Sequence, residues 1–258
     1  MILNKEHLAI RDTVKAFIEK EINPHTNEWE KEGIFPAHDL FKKMGDLGLL
    51  GISKPSEYGG MGLDYSYQVV FSEELGLISS GGVSMAIGVQ TDMATPALAK
   101  YGSDQLRKDF LAPAVAGDMV CSIAVSEPSA GSDVSAIKTK AIKDGDDYVI
   151  NGTKMWITNS TQADFICLLA NTSEGSPHSN KSLIVVPMDL PGITLSDRFD
   201  KLGMRSSDTA QIFFDDVRVP QRNLIGTEGK GFRYQMEQFQ EERIFGAAGA
   251  LKMLEQVI

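Results

Sequence analysis

Along the first 118 residues the apolar positions recur at the spacing of helix faces. From Asn4 to Ile22, residues Ile10, Val14, Phe17, Ile18 and Ile22 form one stripe, with Asn4 available as N-cap and Pro24 beyond the end. A second helix is expected to begin at Pro36, a favoured first-turn residue, and to carry Leu40, Phe41, Met44 and Leu47 into the glycine-broken stretch 45–51. Gly59, Gly60 and Gly62 mark a loop, after which Tyr65–Leu77, Val83–Met93 and Ser103–Ala116 are helical candidates, the last capped by Ser103. After Gly117 the period shortens, and apolar or β-branched runs alternate with turn residues. Strands are expected at Met119–Val125, Ile137–Ile142, Asp147–Ile150, Lys154–Thr158, Phe165–Asn171, Ser182–Met188, Ile193–Leu195 and Thr209–Val219. Asp144–Gly145 and Asn151–Gly152 can supply the positive φ angles of tight hairpin turns, so antiparallel connections are expected there.

Past Gly226, Gly229 and Gly231 the helical period returns through Phe232, Met236, Phe239, Ala247, Leu251 and Leu254. This stripe runs to the last residue without a capping Gly or Asn, which leaves the expectation of a further partner surface or more chain. The pattern as a whole reads as an α+β protein. It divides into an N-terminal all-α domain over 1–118, a middle antiparallel β-barrel or sandwich domain over 119–228, and the first helix of a C-terminal helical domain over 229–258.

Composition narrows the function classes. A chain of 258 residues with 42% hydrophobic positions is long enough to bury a core without disulfide or metal staples. Its two cysteines, Cys121 and Cys167, lie inside apolar runs, where a free thiol behaves as a small hydrophobe. A net charge of −10 with no run of Lys and Arg speaks against a nucleic-acid partner. No apolar stretch is long enough to span a bilayer, and Met1 leads into a helix without a signal-like segment, so a cytoplasmic location is the expectation.

Three segments carry candidate chemistry. The first, Val125 to Asp133 (VSEPSAGSD), consists mostly of small residues after an apolar strand. Such a chain can approach a flat ligand closely and offer the hydroxyls of Ser126 and Ser132, although an ordinary turn has the same composition. The second, Lys154 to Asn159 (KMWITN), can set Trp156 beside an aromatic ring with Thr158 on the same face; plain core burial is the competing reading. The third, Gln240-Glu241-Glu242-Arg243, lies on the last helix. Only one of the adjacent glutamates can enter a given cleft, and Glu242 shares its face with Phe239 and Gly246. Those neighbours would desolvate its carboxylate and raise its basicity, whereas a solvated charged face is the bland alternative. No G-x-G-x-x-G joins a strand to a helix, so a Rossmann nucleotide site is not indicated.

Taken in order, PSEYGGMGLD, VSEPSAGSD, DGDDYVINGTKMWITN, DKLGMRSSDTAQIFFDDVRVP and GTEGKGF resemble the acyl-CoA dehydrogenase family over nearly the whole chain, with likeness to its citronellyl-CoA, long-chain and isovaleryl members. The resemblance implies FAD as cofactor, with Ile123, Val125, Ser126, Gly131 and Ser132 lining it and Trp156, Ile157 and Thr158 flanking its ring. Ser126 and Thr158 would bond its polar atoms. Ser132, Gln240 and Arg243 would meet the acyl-CoA. The family normally draws its catalytic glutamate from a later helical domain, but isovaleryl and long-chain members carry it at the position of Glu242, which is therefore the expected base. It would take the α proton while the β hydrogen leaves as hydride to the flavin. Electrons would pass to an electron-transfer flavoprotein, and the complete protein would be a homo-oligomer, a tetramer or dimer. Ser129 departs from the glycine common there, which puts the local backbone in doubt. Two alternatives keep the resemblance: a truncated, inactive chain or scaffold that needs a partner, and an acyl-CoA oxidase that gives its electrons to oxygen.

Overall fold

The computed structural model describes residues 3–258, and its first layer is helical. Helix α1 (Lys5–Phe17) starts where Asn4 accepts hydrogen bonds from the amides of Glu6 and His7 (3.0 and 2.9 Å). It runs into a π-helical turn at Ile18–Ile22. Helices α2 (Thr26–Glu32), α3 (Ala37–Asp46), α4 (Tyr65–Leu75), α5 (Gly81–Gly88), α6 (Thr95–Tyr101), α7 (Asp104–Leu106) and α8 (Ala112–Ala116) follow. Ser103 caps α7, and Pro36 stands just before α3 instead of inside it. Short α2 and α6 have no counterpart among the expected helices. Between α5 and α6, residues Val89–Ala94 form a second π-helical turn, and Pro96 lies at the start of α6, so the apolar run is one interrupted rod.

The second layer holds strands β1 (Cys121–Ala124), β2 (Lys140–Asp144), β3 (Asp147–Thr158), β4 (Phe165–Asn171), β5 (Lys181–Pro187), β6 (Ile193–Leu195), β7 (Thr209–Pro220) and β8 (Leu224–Ile225). They run in the order β6-β7-β3-β2-β4-β5-β8, with β1 on β4. Most pairings are antiparallel, but β1 runs parallel to β4, and β2 meets β4 only through Lys140 and Asn171. Strands β4 and β5 are buried on both faces. Phe165, Cys167 and Leu169 pack with Leu98, Leu111 and Val115 of the helical layer, while Ile166, Leu168 and Ala170 join Ile150, Ile212 and Val217 inside the sheet. Helix α9 (Gly231–Val257) then packs on α4 and on the rod that contains α5.

Asp144–Gly145 turns the β2–β3 hairpin, with Gly145 at φ +60°. The expectation for Asn151–Gly152 is corrected: these residues lie inside one twelve-residue strand, at a bulge opposite β7. Gly152 adopts φ +146°, and a Cβ there would stand 2.7 Å from Thr139 Cα. The Asn151 side chain exchanges hydrogen bonds with Asp216, donating to its carboxylate (2.9 Å) and accepting from its amide (3.0 Å). The glycine therefore serves the close passage of β2 over β3, not a chain reversal. Gly152→Ala is expected to lower unfolding free energy by about 2 kcal/mol, since strain and a steric contact coincide. Urea unfolding with an unchanged m-value measures this.

Candidate functional site

The VSEPSAGSD segment leaves β1 and folds back on itself, the amides of Glu127 and Ala130 each bonding to the other's carbonyl (2.9 and 3.1 Å). The Met155 amide of β3 donates to Ser126 O at 2.9 Å, and Ser122 Oγ donates to Thr158 O. Segment and strand are thus laced together. Directly after Met155 the register of β3 against β7 shifts, and Trp156 takes φ +66°. Positive φ is uncommon for a bulky residue. Trp156 is 59% exposed, with its ring centroid 4.7 Å from that of Phe199. Ser126 and Thr158 are half-buried, Gly131 and Ser132 are exposed, and the hydroxyls of Ser126, Ser132 and Thr158 make no hydrogen bond among the described residues. Val125 and Ile157 are buried in the cores, and Ile123 is half-buried between the core of the helical layer and the core shared by helices and sheet. The Val125 and Ile157 side chains are therefore turned into the core.

A flat, aromatic, hydrogen-bonding group fits these residues. The exposed indole offers a stacking surface, and the unengaged hydroxyls on the strand and on the segment laced to it offer bonds to a polar ring edge. Around the open end of the segment, Ser135, Lys138, Lys140, Asn171, Asn180 and Lys181 line a hollow of about 420 Å³. Lys181 Nζ is already bonded to Pro177 O and Asn180 Oδ1, while Lys138 and Lys140 are exposed.

Beneath the segment lies an interaction that sequence reading missed. Lys154 Nζ donates to Val125 O (2.8 Å) and to Glu127 Oε1 (2.9 Å), both side chains being almost wholly buried. Glu127 also accepts from the amides of Lys138 (2.7 Å) and Thr139 (2.9 Å). Burial pushes Lys154 down to about 8, against the pull of Glu127. Burial acts to raise the Glu127 carboxyl, but Lys154 and the bonds from Thr139 and Lys138 outweigh it and hold the group below its ordinary value. Charged residues in a strand read as surface; no spacing signal marks this pair as buried.

Gln240, Glu241, Glu242 and Arg243 all lie on α9. Its register is fixed by Gln238, which donates to Met93 O and accepts from the Ala97 amide (2.9 Å), filling the broken hydrogen-bond ladder between the π-helical turn and α6. Phe245 packs against Gly88, where a Cβ would meet its ring at 2.3 Å. Glu242 is half-buried, and burial raises its carboxyl above the ordinary value, with Arg243 opposing and Asp92 reinforcing. The Arg243 guanidinium lies 5.6 Å from the Phe239 ring centroid, whereas Gly246 has open space around it. Glu241 takes a different face. It lines a hollow with Lys54, Tyr65 and Lys100, and its carboxyl is raised chiefly by burial. Buried Asp92, which accepts from Tyr65, Gln68 and Thr91, stands behind it. A polar run, Gln90-Thr91-Asp92, within an apolar helix was the available signal for this cluster.

No hydrogen bond among the described residues joins the Ser126–Thr158 bed to the Gln240–Arg243 turn. The rod from α5 to α6 is their common support. On one side Asn159 donates to Ala86 O (3.0 Å), and Gln90 accepts from the Cys121 amide (2.8 Å). On the other it receives Gln238 and Phe245.

Comparison with known proteins agrees with this layout. Residues 4–118 match the acyl-CoA dehydrogenase N-terminal domain and residues 122–217 the acyl-CoA dehydrogenase middle domain. The chain belongs to the acyl-CoA dehydrogenase family. It is 40% identical over 250 residues to the mitochondrial short-chain specific acyl-CoA dehydrogenase of Rattus norvegicus, covering 96% of this chain and 60% of that protein. It is 34% identical over 259 residues to the mitochondrial isovaleryl-CoA dehydrogenase of Pongo abelii, covering 99% and 61%. A crystal structure of acyl-CoA dehydrogenase from Geobacillus kaustophilus superposes with a TM-score of 0.91 at 42% identity, over 97% of this chain and 66% of that one. The chain thus spans less than two thirds of the length of these relatives. No helix among the described residues is long and apolar enough to cross a membrane.

Gln238→Leu is expected to destabilise the fold by about 2 kcal/mol, because it leaves a buried amide and a carbonyl unpaired. Thermal unfolding, together with faster exchange of the Ala97 amide, checks this.

Proposed function

We propose that this protein acts as a flavin-dependent acyl-CoA dehydrogenase, removing hydrogens from the α and β carbons of an acyl thioester and passing electrons to an electron-transfer flavoprotein. The observation that carries this reading is the exposed Trp156, held at positive φ on the strand that carries Thr158 and is laced to the Ser126 segment, with both hydroxyls unengaged. Trp156 would stack against FAD, with Ser126, Gly131, Ser132, Thr158 and the main chain at Ile123, Val125 and Ile157 around it. FAD bound there supplies the two-electron acceptor for the hydride that leaves the β carbon.

Glu242 is the base. Its partly desolvated carboxylate removes the α proton, a transfer that becomes feasible when hydrogen-bond donors stabilise enolate-like charge on the thioester oxygen. Ser132, Gln240 and Arg243 bind the acyl-CoA in this reading, and exposed Lys138 and Lys140 suit the phosphates of its coenzyme A portion. Exposed Leu251, Leu254 and Val257 on α9 are covered in a homo-oligomer.

Anaerobic titration with straight and branched acyl-CoAs tests the proposal: the visible flavin absorbance should bleach with about one equivalent of substrate. An enzyme that bleaches and also consumes oxygen stoichiometrically in air is an oxidase, which would replace the assigned electron acceptor. Glu242→Gln should keep flavin bound and slow bleaching by about a thousandfold or more, as expected for loss of a general base; bleaching at the native rate removes Glu242 from that role. Because Glu242 must be ionised and burial raises its pKa, the bleaching rate should fall as pH drops through a value above the ordinary 4.5. Stopped-flow rates across pH measure that limb.

A further inference from the structure

We propose that Glu127 and Lys154 are positioning residues: their buried ion pair clamps the Ser126 segment against the Trp156 bulge and so sets the shape of the ligand bed. This rests on the reading of that bed as the flavin site. A buried ion pair is by itself weak evidence of a stabilising role. Two charges taken from water incur a desolvation penalty, and well-packed apolar side chains often do as well or better in such places. What an apolar pair cannot reproduce is the bonding pattern. Lys154 Nζ reaches Val125 O at 2.8 Å and Glu127 Oε1 at 2.9 Å. Glu127 in turn accepts from the amides of Lys138 at 2.7 Å and Thr139 at 2.9 Å. The pair therefore gathers the exit of β1, the middle of β3 and the approach to β2 on one charged knot, each bond fixing a direction as well as a distance.

The placement relative to the bed is specific. Ser126 lies between the two anchored residues Val125 and Glu127, and its carbonyl takes the Met155 amide at 2.9 Å. Lys154 and Trp156 flank that Met155. Although two apart on one strand, Lys154 is wholly buried and Trp156 is exposed, because the bulge between Lys154 and Ile157 breaks the alternation. With Lys154 pulled inward by its acceptors, the bulge turns the indole outward. Neither residue needs to touch a ligand for this; both act through Ser126, Met155 and Trp156.

The test uses a Glu127→Gln/Lys154→Met double variant, which removes both charges at similar volume, and Glu127→Gln alone in case the double variant folds poorly. Amide exchange is followed without flavin, at Met155 and at the core amides of Leu168 and Val185, and FAD affinity is measured alongside. The expected result is about tenfold faster exchange at Met155 with core protection retained, and about tenfold weaker FAD binding. Native exchange at Met155 overturns the clamp. Equal loss of protection at Met155 and the core also overturns it, since the pair would then be holding the fold as a whole. If the native protein binds no FAD, the flavin reading fails, while the Met155 exchange still decides the clamp.

Discussion

The rod of α5, its π-helical turn and α6 is the constraint on which the arrangement depends, because its backbone is bonded from two sides by side-chain amides. A regular helix consumes its own carbonyls and amides; this one is interrupted at Val89–Ala94 and by Pro96, so polar groups are released in mid-rod. Buried and unpaired, those groups would be costly. Gln238 satisfies two of them from α9. Gln90, carried by the irregular turn itself, reaches out to the backbone at Ala114, Met119 and Cys121. The irregularity therefore fixes both the sheet and α9 to one reference line.

On that line the sheet contributes the proposed bed and α9 the proposed base. The bed is an exposed face made by a departure from regular strand geometry, and it is held from below by a charged pair. The carboxylate is raised by burial on a helix whose register is locked one turn earlier, at Gln238. Each side uses an expensive feature: positive φ at a tryptophan on one, a desolvated acid on the other. Such features persist where surrounding structure over-determines them, and they are where binding and proton transfer are economical to build.

Much of this was legible in the sequence. Asn4 and Ser103 read as caps and act as caps, the Asp144–Gly145 hairpin was visible, and the change from helical to strand period near Gly117 located the sheet. Asn151–Gly152 misled because a positive-φ glycine serves a bulge as well as a turn, and only the neighbouring Thr139 decides which. Helix α6 was hidden because it is only seven residues long, with Pro96 in its first turn, too short to show a stripe. Lys154 and Glu127 were invisible as buried groups, since a charge in a single sequence reads as solvent-facing until its partner, 27 residues away, is known. The polar run at Asp92 inside an apolar helix was a signal left unread. Motif resemblance is what proposes Ser126, Trp156 and Thr158 as bed residues; that the Val125 and Ile157 side chains are buried could not be read there.

The most direct measurement is a crystal structure of the protein with FAD and a non-oxidisable acyl-CoA thioether. A Glu242 carboxylate oxygen is expected within about 3.5 Å of the carbon that corresponds to the acyl α carbon, with the flavin ring against Ser126 and Thr158. A different carboxylate at that carbon, or a flavin lodged away from Trp156, contradicts this arrangement.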